Sequence, residues 1–221
     1  MGRNAMSSED RELRRREFLD AAHRLFRQRR DLPPVAEIAV EAGLAKGTVY
    51  RYFKSKEEIF VALLEDDFGA LFVALEAILA QLPEEPEAAA RAFARAFARS
   101  ILAMEDLLPL ASLSNGVLEQ NLPVAVMRRF KTLLAAGLRS AGKKLEAGYP
   151  TLGRGGGTTL LLQTYALTLG LWQTLDYPPA LRELLKEPAL RPLDRRFASE
   201  LEAAVRSQWL GSLARSAEAR R

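Results

Sequence analysis

Apolar residues recur every three or four positions along nearly the whole chain, and no stretch alternates apolar with polar residues between hairpin turns. Spacing of that kind gathers apolar side chains on one face of a helix, whereas a half-covered strand needs a period of two. The fold class that follows is all-α. From about Glu9 to Arg29 the residues Leu13, Phe18, Ala22, Leu25 and Phe26 share a face, with Ser7 or Ser8 as the cap. Asp31-Leu32-Pro33-Pro34 stops this helix, because proline cannot donate to the ladder and restricts the residue before it. Two short helices follow, over about Val35 to Ala42 and Lys46 to Phe53, parted by Gly43, a residue suited to a left-handed cap. From Lys56 a long helix carries Ile59, Leu63, Leu64, Leu71 and Leu75 along one side and ends near Pro83.

Beyond Pro83, helices are expected near Glu87 to Met104, Pro123 to Ala147, Gly155 to Leu175 and Leu193 to Leu213, with no internal repeat. Pro109, Asn115-Gly116, Tyr149-Pro150, Pro178-Pro179 and Pro188 read as the breaks between them. Glu84-Glu85-Pro86-Glu87 reads as a charged helix start that suits the helix dipole. The 221 residues then divide into an N-terminal three-helix domain, residues 1–56, joined by the long helix to a larger helical bundle, residues 57–221. The segment Leu160 to Leu175 is apolar, but Gln163, Thr164, Gln173 and its short length mark a core or subunit-interface helix and not a membrane span.

Hydrophobic residues make up 48% of the chain, which excludes a disordered polypeptide. The absence of cysteine excludes disulfides, thiolate metal sites and a cysteine nucleophile, and it fits a reducing compartment. No apolar leader follows Met1, so the expected location is cytoplasmic. The net charge of +4 is unevenly placed. Up to Lys56 there are 13 Lys and Arg against 8 Asp and Glu, and in the remainder 19 against 20. A basic segment of this kind suits a polyanion such as DNA, whose counterions are released when cations reach its phosphates. On charge alone, a solvated basic face is the other reading.

Between Ile38 and Phe53 the chain reads IAVEAGLAKGTVYRYF, two short helices meeting at a glycine with apolar positions on both sides. This is a helix-turn-helix layout. Ile38, Ala39, Ala42, Leu44 and Val49 can hold the two helices together, leaving Lys46, Thr48, Arg51 and Tyr52 on the outer face of the second. Such a helix fits the major groove, where lysine and arginine reach guanine acceptors and threonine donates, accepts or touches a thymine methyl. Tyr50, Tyr52 and Lys56 offer donors for phosphates.

The run GTVYRYFKSKEEIF after IAVEAG is similar to the signature of TetR-family repressors, and FLDAAHRLF resembles that family's first helix. The resemblance covers about Arg11 to Leu64. It implies that Lys46, Gly47, Thr48, Tyr50, Tyr52 and Lys56 occupy positions the family uses against DNA, Gly47 through its backbone. Packing against the first helix is the alternative for either tyrosine. Three departures stand out. Arg29-Arg30-Asp31 occupies a turn that usually carries glycine, Pro33-Pro34 replaces a threonine that caps the second helix, and Ala45 replaces a serine that caps the recognition helix.

The resemblance further implies a C-terminal dimerisation and ligand-binding domain whose last two long helices build a four-helix interface with a partner copy. Leu167, Leu171, Trp172, Phe197, Leu201, Val205 and Trp209 offer apolar surface at helical spacing, and Leu167, Leu171, Leu201, Val205 and Trp209 are the expected contacts. Packing within the chain is the alternative. An inducer pocket would be mostly apolar with a few polar groups. Phe93, Phe97, Met104, Leu118, Met127, Phe130, Tyr165 and Trp172 are its candidates, with Asn115, Asn121 and Gln163 as polar members, and ordinary core is the alternative for each.

With no histidine, cysteine or carboxylate cluster, neither a metal nor another cofactor is expected, and the ligand is a small apolar or amphipathic organic molecule. His23 is the only histidine and sits on the first helix, so no serine, histidine and carboxylate set can be argued. Arg154-Gly155-Gly156-Gly157-Thr158-Thr159 lacks the lysine and the preceding strand of a phosphate loop. An enzyme is therefore not expected. The sequence reads as a homodimeric DNA-binding regulator, a repressor that leaves its operator on binding a ligand. A constitutive DNA-binding protein without an effector is the alternative, and a helical enzyme or interaction adaptor comes after it.

Overall fold

The structure, a computed structural model, describes residues 8–118 and 120–218, with the main chain only at 115, 117 and 215–218. It is helical throughout the described residues, as the periodicity requires. The helices are α1 (Ser8–Arg29), α2 (Val35–Glu41), α3 (Lys46–Val49), α4 (Lys56–Leu79), α5 (Pro86–Ala103), α6 (Leu107–Leu113), α7 (Val124–Gly148), α8 (Gly156–Leu175), α9 (Pro179–Leu184) and α10 (Phe197–Glu218). Contacts gather them into two compact units. The first comprises the chain up to Asp67 with Pro109–Lys131, and the second comprises Phe68–Leu108 with the chain from Thr132. The cuts fall inside α4, α6 and α7, whereas the sequence reading divides the chain at residue 56.

In the first unit, α1 buries Phe18, Leu19, Ala21, Ala22, Leu25 and Phe26. Ile38 and Ala39 of α2, Val49 of α3, and Ile59, Phe60 and Leu64 of α4 are buried in the same unit, where α1 lies against α2 and the Phe26 and Phe60 rings are 5.8 Å apart. Leu13, expected on the covered face, is 62% exposed. Burial begins only at Phe18, because α2 and α3 are too short to cover the length of α1. Arg129 on α7 forms a two-point ion pair with Glu65 on α4, at 2.8 and 3.1 Å. The helix opens on Ser8; Ser7, the other expected cap, lies outside the described residues.

The turn after α1 holds Arg30 at φ 60°, in the left-handed region, with its N–H donating to the Phe26 carbonyl at 2.7 Å. This is the turn where the resemblance leads one to expect glycine. A β-carbon is crowded in that conformation, so the arginine stands in a strained position.

Several short elements went unseen in the sequence. Pro109, read as a break, is the third residue of α6, where the N–H it lacks would have had no partner. Asn115-Gly116, also read as a break, lies in a π-helical turn, Ser114–Leu118. Likewise Pro178 caps α9 and Pro179 opens it. The last long helix begins at Phe197 and not at Leu193, because Pro188–Leu193 forms a 3-10 turn with Pro192 inside it.

In the second unit, α10 lies chiefly against α5 and next against α8. Phe93 stacks on Trp209 with centroids 3.4 Å apart, and on Phe97 at 5.3 Å. The Trp209 indole nitrogen donates to the Thr164 hydroxyl at 2.9 Å, and that hydroxyl donates to the Leu160 carbonyl at 2.8 Å. Helices α7 and α8 touch at glycines. A β-carbon on Gly157 would stand 2.3 Å from the Gly142 carbonyl oxygen, and one on Gly142 would stand 2.7 Å from the Thr158 nitrogen. The glycine run Gly155 to Gly157 is thus a left-handed cap followed by a close helix contact. At the start of α5, the Glu85 carboxylate accepts from the Glu87 N–H at 2.8 Å and from the Ala88 N–H, which holds it below its ordinary value of 4.5. Tyr149 donates to the Pro83 carbonyl. Burial and the neighbouring Glu84 and Glu85 push its phenol up. Among the described residues, no helix is long and apolar enough to cross a membrane.

Candidate nucleic-acid interface

Helix α3 spans only Lys46–Val49, and the chain continues to Tyr52 as turn where helix was expected to reach Phe53. Thr48, Val49, Tyr50 and Tyr52 are β-branched or aromatic and weak helix formers. Ala45 supplies no side-chain cap to α3, and Pro34 supplies none to α2, as their residue types require. Val49 is the one fully buried residue of α3 and anchors it. Around that anchor Lys46, Gly47, Tyr50 and Arg51 are exposed, while Thr48, Tyr52 and Lys56 are half-buried. The Tyr52 ring sits 5.6 Å from Phe18 of α1, so it serves the fold and only its hydroxyl end is left for a partner. At Gly47 no atom lies within 4 Å of where a β-carbon would stand. The fold itself places no demand for glycine there.

Charge at this end of the molecule is sorted by pairing. On α1, Arg14 faces Glu17 at 2.9 Å, Arg15 faces Glu12 at 3.2 Å, and Arg16 faces Asp20 and Asp66 at 3.1 and 2.7 Å. Arg24 meets Glu41 at 2.7 Å, and Arg29 meets Glu37. Exposed pairs of this kind add little stability, but they cancel charge. Lys46, Arg51, Lys54 and Lys56 make no ion pair among the described residues. Lys46 on α3, Arg51 and Lys54 in the turn after it and Lys56 at the start of α4 are thus uncompensated, as is Arg11 near the start of α1, and the first four give this edge the positive field that a phosphate backbone meets.

Lys54 was passed over in the sequence. Its place is fixed by a reciprocal cap, in which the Ser55 hydroxyl accepts from the Glu58 N–H at 3.3 Å and the Glu58 carboxylate accepts from the Lys54 N–H at 2.8 Å. The signal was present as Ser55-Lys56-Glu57-Glu58, a serine followed three residues later by glutamate at a helix start.

The expected ligand residues fall in both units. Leu118, Met127 and Phe130 belong to the first unit, and Phe97, Met104, Tyr165 and Trp172 to the second. Phe93, Phe97, Leu118 and Phe130 are core residues, and Tyr165 meets Phe68 edge-on at 5.6 Å. Met104, Met127 and Trp172 are half-buried, Asn121 and Gln163 are exposed, and the Asn115 side chain lies outside the described residues. Trp172 lines a cleft of about 520 Å³ with Tyr177, Arg182 and Phe197.

Of the expected interface residues, Leu201, Val205 and Trp209 have no exposed surface in the single chain. Their spacing is satisfied by α5 and α8, so they have none to offer a second copy. Leu167 and Leu171 are half-buried on α8, where Leu162 is 52% exposed. His23 is half-buried on α1, and among the described residues no group of histidine, cysteine and carboxylate side chains has the form of a metal site.

Residues 18–63 match the family model for bacterial regulatory proteins of the tetR family, and residues 65–216 match that of the tetracyclin repressor-like C-terminal domain. Over 42 residues the chain is 43% identical to the fatty acid metabolism regulator protein of Bacillus subtilis (strain 168). That stretch is 19% of this chain and 22% of the relative, so about a fifth of the relative's length is matched. Among solved structures, the fatty acid degradation regulator FadR from Bacillus halodurans superposes with a TM-score of 0.59 at 15% identity, over 89% of this chain and 94% of that one. A protein described as a TetR-family transcriptional regulator from Mesorhizobium loti MAFF303099 gives 0.52 at 20% identity, over 92% and 96%. At these identities the likeness is one of fold.

Proposed function

The chain belongs to the TetR family of bacterial regulatory proteins, and from that premise we propose that it is a repressor whose homodimer leaves its operator when a small amphipathic ligand binds. It is a helix-turn-helix DNA-binding transcription regulator and not an enzyme. In the proposal, residues 1–56 read DNA and residues 57–221 dimerise and take the ligand. Lys46, Thr48 and Arg51 contact base edges, while Tyr50, the Tyr52 hydroxyl, Lys54 and Lys56 hold phosphates and the Gly47 backbone lies closest to the duplex. The observation that carries this reading is the sorting of charge. The arginines of α1 named above are cancelled by carboxylates, whereas the cations flanking the exposed side of α3 are left unpaired.

Dimerisation would use the outward side of α8, where Leu162 is exposed and Leu167 and Leu171 are half-buried. Two copies would place paired recognition elements on half-sites about one helical turn apart, or a multiple of it. The relatives named for fatty acid metabolism and degradation direct the search for target genes to that area of metabolism.

The deciding experiment is binding of the purified protein to duplex DNA from upstream of its own gene, at two salt concentrations, beside an unrelated duplex. Tight, sequence-selective binding that weakens steeply with salt supports the reading. Failure to bind any duplex at low salt would remove it.

A further inference from the structure

A groove of about 660 Å³ runs between the end of α4 and one side of α5, within the size range of small-molecule sites. Ala77, Ile78 and Leu82 line one wall, and Ala92, Ala96 and Ala103 line the other. The groove exists because alanines occupy positions where longer side chains would fill the space. Arg95 and Arg99, one turn apart on α5, stand in the same groove, and no carboxylate is among its lining residues. Arg95 forms a long ion pair with Glu202 at 3.8 Å, beyond hydrogen-bond reach, while Arg99 has no ion pair among the described residues. Gln81 and Ser100 add the remaining polar groups. None of the residues expected from the sequence to hold a ligand lines this groove.

We infer that the groove binds a single-chain amphipathic anion, its alkyl tail on the alanine and leucine walls and its headgroup between Arg95 and Arg99. A guanidinium fork matches a carboxylate or sulfate at two points, and the walls take methylenes out of water. A neutral ligand leaves Arg99 without a counter-charge, and a cationic one is repelled. The inference rests on the ligand-responsive reading and names the ligand's chemical class and its place. Ala77 and Ile78 belong to α4, the helix that begins at Lys56, so an occupant touches the same helix that carries one of the cations proposed to face DNA.

The test is calorimetric titration of the full chain, without DNA, with decanoate and decyl sulfate against decyltrimethylammonium, all below micelle formation. The anions bind and the ammonium does not, and each added methylene tightens binding about fourfold. Arg99→Ala weakens the anions about tenfold, and Arg99→Lys restores part of the loss. Ala96→Trp fills the groove and abolishes binding while its melting profile shows a folded protein. Equal binding of the ammonium, or unchanged binding of decanoate by Arg99→Ala, overturns the inference. Because the titration contains no DNA, its failure leaves operator release by some other ligand standing. A protein that takes up decanoate but is released from DNA by nothing would remove the regulatory reading and keep the site.

Discussion

The indole N–H of Trp209 donates to the Thr164 hydroxyl across 2.9 Å in the interior of the second unit, where both side chains are buried. Replacing Thr164 with valine keeps the shape and leaves that N–H without an acceptor, at a cost of about 1–3 kcal/mol. Thr164→Ser keeps the hydroxyl and loses only a methyl. Urea denaturation of the three proteins should rank wild type, serine and valine in that order. A valine variant as stable as wild type would mean that this hydrogen bond contributes nothing net.

Arg30 sits at φ 60°, where glycine is at ease and a β-carbon is not. Arg30→Gly should stabilise the protein by up to about 1 kcal/mol, the strain relieved being larger than the entropy gained by the unfolded chain. Thermal unfolding reads the change. A lowered melting temperature would show that the arginine side chain holds the turn by contacts that outweigh its backbone strain.

The fold leaves free space at Gly47, on the exposed side of α3. Gly47→Ala should leave the melting temperature equal or slightly raised, since alanine is the better helix former by about 1 kcal/mol. Affinity for DNA should nonetheless drop, because the added methyl stands where the duplex is proposed to approach. An alanine variant with wild-type affinity would remove Gly47 from the interface.

Lys54 and Thr48 should separate the two kinds of contact. Lys54→Ala weakens binding about evenly across DNA sequences and lowers the salt slope by about 1, as loss of one phosphate contact does. Thr48→Ala changes preference at particular base pairs and costs about 1–3 kcal/mol on the preferred site. Fluorescence anisotropy against a panel of duplexes at several salt concentrations distinguishes them, and a reversal of the two patterns would exchange the proposed roles.

Glu85 is held below 4.5 by the amides of Glu87 and Ala88, with Arg91 adding to the effect. Its carboxylate thus binds protons less readily in the folded than in the unfolded chain. Its contribution is fully present above about pH 4.5 and is lost as pH falls through the lower folded value. Protection of the Glu87 and Ala88 amides, the exchange rate taken relative to the intrinsic rate at each pH, should therefore fall on acidification, and Glu85→Gln should flatten that dependence. Identical profiles for the two proteins would show that the cap does not respond to the carboxylate's charge.

Most of the fold was legible because periodicity and proline placement act locally. Pro33-Pro34 and Gly43 part the short helices where the sequence places the breaks, and α7 falls within a residue of its expected limits. What escaped depends on position within an element or on distant neighbours. Pro109 is tolerated in the first turn of α6 and would break a later one, a distinction that a single residue type does not carry. Apolar spacing on α10 announces a covered face without saying by what, and α5 is what covers Leu201, Val205 and Trp209. The cationic edge was legible in outline from the charge bias before Lys56. Which cations remain unpaired was not, because Asp66 and Glu41 reach Arg16 and Arg24 from other helices.

Gly142 and Gly157 meet main chain to main chain, so no rotamer change on either helix can lengthen or shorten that contact. Neither position can accept even a methyl group without backbone displacement. In mechanical terms they form a pin. The spacing of α7 and α8 at this point is thus set by main chain and not by side chains.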